Sequence, residues 1–164
     1  MTPESTAVAD APEPTDLPGA PADPRTIGRT AAWLAKQVEI GLGTVDLSLP
    51  QYRILGLLDE RSAVSSVVAE RLAVRPPTVT AVVDGLVARG LVERHPVAGD
   101  RRRTDLVVTD EGLAALATAD AAIEGRLREV AGAMADPAAT DEAFAGLASW
   151  RRAFVAYTRA KWGR

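Results

Sequence analysis

Two adjacent prolines, Pro76 and Pro77, constrain this chain more than any other feature. The residue before a proline is pushed out of the α region, so Arg75 must end whatever helix precedes it. A proline in the first helical turn costs nothing, because its missing N–H has no intrahelical partner there. The pair therefore both stops one helix and starts another. Upstream, residues 65–73 read as a short helix burying Val68 and Leu72. Downstream, Val79, Val83 and Leu86 recur at helical spacing, and Gly90 closes the segment. Two helices joined by a corner of three or four residues form a helix-turn-helix pattern.

The next segments are "LVER", "HPVAGD" and "TDLVVT", which read as strand, loop and strand. The β-branched residues and Gly99 predict a hairpin, with Arg101, Arg102 and Arg103 at the loop's exit. A helix-turn-helix followed at once by a hairpin is a winged helix. Flanking it, Ile27, Ala31, Leu34 and Val38 mark one face of a helix that ends near Gly41 and Gly43. Ser48 and Gln51 predict a capping box, with Pro50 in the first turn and Tyr52, Ile54, Leu55 and Leu58 as the buried stripe. A long helix starts near Thr109 or Asp110, with a seam of Leu113, Leu116, Ile123, Leu127, Val130 and Met134 in which Asp120 takes one place. A last helix spans about 138–161 and carries Phe144, Leu147, Phe154 and Val155 on one side.

Charge is placed unevenly. The chain has 19 Lys+Arg against 22 Asp+Glu, yet five acids and no base fall in residues 1–24. That segment also holds six prolines, and its composition predicts a disordered tail. Residues 71–103 carry seven arginines against three acids. Screening makes charge act locally, so an acidic total does not preclude one basic face. No cysteine is present, which excludes disulfides, thiolate metal sites and thiol redox chemistry. The first residues lack the pattern of a secretory signal, and no apolar run reaches the ~18 residues of a membrane span. The expectation is a cytoplasmic chain without membrane contact, metal or cofactor.

A winged helix offers its second helix to the DNA major groove, where each base pair shows a distinct donor and acceptor pattern. The exposed side of that helix holds Thr78, Ala81, Asp84, Gly85 and Ala88, with Thr80 nearby. Thr78 suits a phosphate, a base edge or a thymine methyl. The helix N-terminus adds backbone N–H groups for a phosphate, less the two that Pro76 and Pro77 lack. Arg71 and Arg75 flank the corner as phosphate grips. The wing arginines suit the narrow, negative minor groove, and Asp100 is placed to orient Arg102 by a charge-assisted bond. An enzyme reading finds no support: there is one histidine, His95, which reads as an exposed strand residue or a phosphate neighbour.

From Leu47 to Gly112 the chain resembles the MarR family of winged helix-turn-helix transcription regulators. The blocks "LSLPQYRIL", "VAERLAV", "PPTVTAVVDGLVARGLVERH" and "GDRRRTDLVVTDEG" carry the likeness, and the D-x-R wing signature falls on Asp100 and Arg102. The resemblance implies a mainly α fold: a winged helix-turn-helix with a two-stranded wing, plus N- and C-terminal dimerisation helices. The parts would be an acidic tail (1–24), an N-terminal dimerisation helix (25–46), a DNA-binding domain (47–109) and C-terminal dimerisation helices (110–164). It further implies a homodimer on a palindromic operator of double-stranded DNA, commonly repressing, and released by a small aromatic or anionic effector whose site the sequence leaves unknown.

The DNA-binding residues are then Arg75, Pro77, Thr78, Thr80, Arg101, Arg102 and Arg103, with Asp100 orienting the wing. Departures from the family pattern are Pro77 where Ser is common, and Ala81 and Gly85 where Arg is common. Glu, frequent at the Val67 position, is also absent. This helix is therefore poor in polar reading groups, so the wing gains weight. Trp33, Trp150 and Trp162 read as core or dimer-interface residues. The rival reading is a winged helix used only for protein contacts.

Overall fold

The computed structural model describes residues 24–97, 100–134 and 136–162. The acidic tail expected over 1–24 lies outside the described residues except for Pro24, which opens the first helix. Six helices and three short strands follow: α1 (Pro24–Gly43), α2 (Leu49–Glu60), β1 (Ala63–Val64), α3 (Ser65–Leu72), α4 (Pro76–Ala88), β2 (Val92–Val97), β3 (Asp100–Val108), α5 (Asp110–Ala131) and α6 (Pro137–Trp162).

The corner between α3 and α4 forms as the prolines dictate. Arg75 is extended, at φ −71 and ψ 142, and caps α4 with Pro76 and Pro77 in its first turn. On the other side Ala73 takes a left-handed conformation at φ 53, and Val74 N–H donates to the Ala69 carbonyl at 3.0 Å. Three residues thus turn the chain between helices. The capping box of α2 also forms, with the Ser48 N–H donating to Gln51 Oε1 at 2.9 Å.

The core fills the space these helices enclose. Leu55, Val68, Val79, Val83, Leu86, Val92 and Leu106 are all but fully buried, and no polar side chain is buried among the described residues. Three side chains of α4 meet there with one each from α2, α3, β2 and β3. The wing forms from two strands, β2 and β3, as expected, and β1, which was not anticipated, adds to the free edge of β3, giving an antiparallel sheet in the order β1-β3-β2. Two residues are too few for alternation to mark them as a strand. The hairpin strands also run further toward the tip, so the backbone of Arg101–Arg103 belongs to β3 and not to a loop exit, and the ladder is irregular between Pro96 and Val97.

Thr109 closes the wing onto α5. It caps α5 by accepting from Gly112 N–H at 3.0 Å, while its hydroxyl donates to the Gly90 carbonyl at 2.7 Å. Gly112 lies so close to the β2 entry that a Cβ there would stand 2.1 Å from the Leu91 carbonyl oxygen. The seam of α5 is buried in the middle, at Leu116, Ala119 and Ile123, but Leu113, Val130 and Met134 are exposed. No described side chain of α6 is buried.

The close approach at Gly112 predicts that Gly112→Ala destabilises the fold by about 1–3 kcal/mol, as overpacking against fixed backbone does. Chemical denaturation checks it; an unchanged midpoint would show that the α5 entrance yields.

Candidate nucleic-acid interface

The exposed row of α4 is built by the same spacing that buries Val79, Val83 and Leu86 on its other side. Thr78, Thr80, Ala81, Asp84 and Ala88 are exposed, together with Pro76, Pro77 and Arg75 at the corner. Thr80 Oγ donates to the Pro76 carbonyl at 3.2 Å, so its proton is turned into the helix while its lone pairs face out. Thr78 carries the more adaptable hydroxyl.

Two sequence expectations fail at this end of the helix. The N-terminus was expected to offer free N–H groups beyond the two that Pro76 and Pro77 lack, but Thr78 N–H donates to the Arg75 carbonyl at 3.0 Å. The anion-binding character of a helix start is therefore largely spent inside the corner. Arg71, expected beside Arg75 as a phosphate grip, lines a groove of about 460 Å³ between α6 and the α2–α3 pair. Its neighbours there include Leu57, Glu60, Trp150, Arg151 and Phe154, and its Nε is buried without a hydrogen-bond partner.

The wing carries Asp100, Arg101, Arg102 and Arg103 as the first four residues of the β3 backbone. Their side chains lie outside the described residues, as does that of Trp162. His95 stands exposed on β2, with Nε2 at 2.7 Å from Glu93 Oε2. The sequence showed no partner for it; a neighbour two residues away on one strand face is that partner.

Two contacts were not foreseen. Arg94 Nη2 lies 2.6 Å from Asp84 Oδ1, joining β2 to the exposed row of α4. Asp84 is the only ionised residue between 76 and 88, which was the available signal. Tyr52 OH donates to Asp120 Oδ1 at 2.6 Å, tying α2 to α5 and accounting for a carboxylate at a seam position. Burial first, then the hydrogen bond and charge of Asp120, hold the Tyr52 phenol well above its ordinary value.

Trp33 and Trp150 are not in the core. Trp33 is 73% exposed and Trp150 62% exposed, and the large apolar side chains that stand exposed among the described residues lie on α1, α5 and α6 or, for Met134, between α5 and α6. No helix among them is long and apolar enough to cross a membrane, and they contain no metal-binding cluster of His, Cys, Asp or Glu.

Three helices, a corner and a β-wing in this order define a winged helix-turn-helix protein. Residues 45–103 match the model of the MarR family. The family consists of transcriptional regulators, not enzymes. The chain is 28% identical over 93 residues to the HTH-type transcriptional regulator PecS of Dickeya dadantii (strain 3937), covering 54% of this chain and only 56% of PecS. Among solved structures it is similar to wild-type MarR from E. coli, at TM-score 0.63 and 22% identity over 76% of this chain and 94% of that one. The transcriptional repressor CouR, solved bound to a 23-mer DNA duplex, gives TM-score 0.62 and 26% identity over 77% and 89%.

The Tyr52 contact generates a prediction. Tyr52→Phe should cost about 1 kcal/mol of stability at neutral pH. A raised folded-state pKa means the contribution is complete below the ordinary pKa of 10.0 and is lost as pH rises above it. Denaturation midpoints of parent and variant should thus converge in alkali; a constant gap would show that only packing is lost.

Proposed function

We propose that the protein is a sequence-specific, double-stranded DNA-binding transcriptional regulator that acts as a homodimer. The observation that carries this is one surface: the exposed row of α4 beside a wing whose β3 backbone carries three consecutive arginines. Thr78 and Thr80 read the major groove, with Pro77 at the helix entrance and Arg75 on the backbone. Arg101, Arg102 and Arg103 enter or flank the minor groove, with Asp100 orienting Arg102. That CouR was solved on a DNA duplex supports the reading for a chain of the same fold. The DNA-binding domain is then 47–109, and no cofactor is required.

The dimer rests on the flanking helices, 25–46 and 110–164. An apolar face such as that of Trp150, Phe154 and Tyr157, each about 60% exposed, is buried by a partner in stable assemblies. Two-fold symmetry makes the operator palindromic, with half-sites about one helical turn, roughly 10 bp, apart. The regulator is a cytoplasmic repressor, released when a small aromatic or anionic ligand binds. The groove under α6, with Trp150 and Phe154 for an aromatic body and the unpartnered Nε of Arg71 for an anion, supports that release.

Arg102→Ala should weaken binding about tenfold on every duplex, whereas Thr78→Ala should mainly narrow the gap between preferred and random sequences. Selection of duplexes from a random pool followed by affinity measurement distinguishes them; parental affinity in Arg102→Ala would end the wing's role. In sedimentation, the parent should run at twice its 17.2 kDa, and Trp150→Glu should run as a monomer. A monomeric parent would contradict the dimer.

A further inference from the structure

The ion pair between Asp84 and Arg94 has a consequence for how DNA would be met. Asp84 stands one helical turn beyond Thr80, on the same exposed row of α4. It is the only ionised side chain of that helix, and a bare carboxylate there would repel phosphate. It is not bare. Arg94 Nη2 approaches to 2.6 Å, from a side chain 38% exposed to one 58% exposed.

Arg94 is well placed to do this. Its cross-strand partner is Leu106, which is fully buried. Residues opposite each other in an antiparallel pair share a sheet face, so Arg94 leaves the wing on the core side, where α4 packs along β2. Glu93 and His95 occupy the other face and pair with each other. Exposed ion pairs add little to global stability, so the consequence of this one is geometric. Beyond Val92 no side chain of β2 is buried, and the ladder with β3 carries that outer part of the strand. The pair is the side-chain tie that the structure gives between this outer part of β2 and the helix.

We propose that Asp84 and Arg94 form a latch that fixes the wing against α4, making Asp84 a positioning residue for the wing arginines and not a base-reading one. The latch itself rests on geometry; its effect on DNA rests on the binding function proposed above. Simple electrostatics and the latch predict opposite results for one substitution. Removing a bare carboxylate from a DNA-facing row tightens binding and steepens its salt dependence. Releasing the latch lets the wing tip move, so its arginines neutralise fewer phosphates and both effects reverse.

The experiment uses the full chain, Asp84→Asn, Arg94→Gln and the double swap Asp84→Arg with Arg94→Asp. Amide hydrogen exchange over 92–108 is measured without DNA. Affinity and salt slope are measured on a duplex selected by the parent. Each single variant should raise exchange in β2 several-fold, and Asp84→Asn should bind about tenfold more weakly with a shallower slope. The swap should restore protection and most of the affinity. Unchanged exchange in the single variants, or binding by Asp84→Asn as tight as the parent's or tighter, would overturn the latch. A parent that binds no duplex would remove the DNA function alone, because the exchange measured without DNA still decides the latch.

Discussion

The exclusion of Arg75 from the α region by Pro76 is the constraint on which the rest of the structure depends. It denies the chain one continuous helix from 65 to 88 and forces a turn within three residues. Once α3 and α4 cross at that corner, Val68, Val79, Val83 and Leu86 point to one place, and α2 and the sheet close over them. The exposed row of α4 is the other side of the same packing. So the surface proposed to meet DNA is fixed by the residues that avoid water, not by residues that contact DNA.

The corner also has a chemical side effect. Two prolines and a Thr78 N–H bonded to Arg75 leave the start of α4 poor in donors, at the position where a helix most readily takes an anion. The exposed row adds two threonines and one carboxylate already held by Arg94. In the binding mode proposed above, a helix with so little positive charge leaves the affinity to the wing, where the arginine triplet stands, while most of the apolar surface left by folding collects on α1, α5 and α6. Charge and apolar area are thus segregated to opposite parts of the chain, one suited to DNA and one to a second copy.

Much of this was legible in the sequence because it depends on local rules. Proline sterics gave the corner, the Ser48–Gln51 spacing gave the cap of α2, and the 4 and 3 spacing of Val79, Val83 and Leu86 gave the buried face. What was not legible depends on contacts between distant segments. β1 is a strand only because β3 lies beside Ala63 and Val64. Asp120 looked like a flaw in an apolar seam until Tyr52, 68 residues away, supplied its donor. Arg71 and Arg75 looked equivalent at the corner, yet one turns under α6 and the other stays exposed. The tryptophans illustrate the remaining gap, since a helix face that reads as buried does not say whether its own chain covers it.

Titrating duplex DNA with the full chain across a series of salt concentrations addresses the wing-centred binding mode most directly. If cations on the wing and corner carry the affinity, log K falls linearly with log salt, with a slope near −0.9 for each phosphate neutralised. Binding should then drop by at least about a hundredfold between roughly 50 and 200 mM salt. An affinity that is insensitive to salt, or no duplex binding even at the lowest salt, would contradict it.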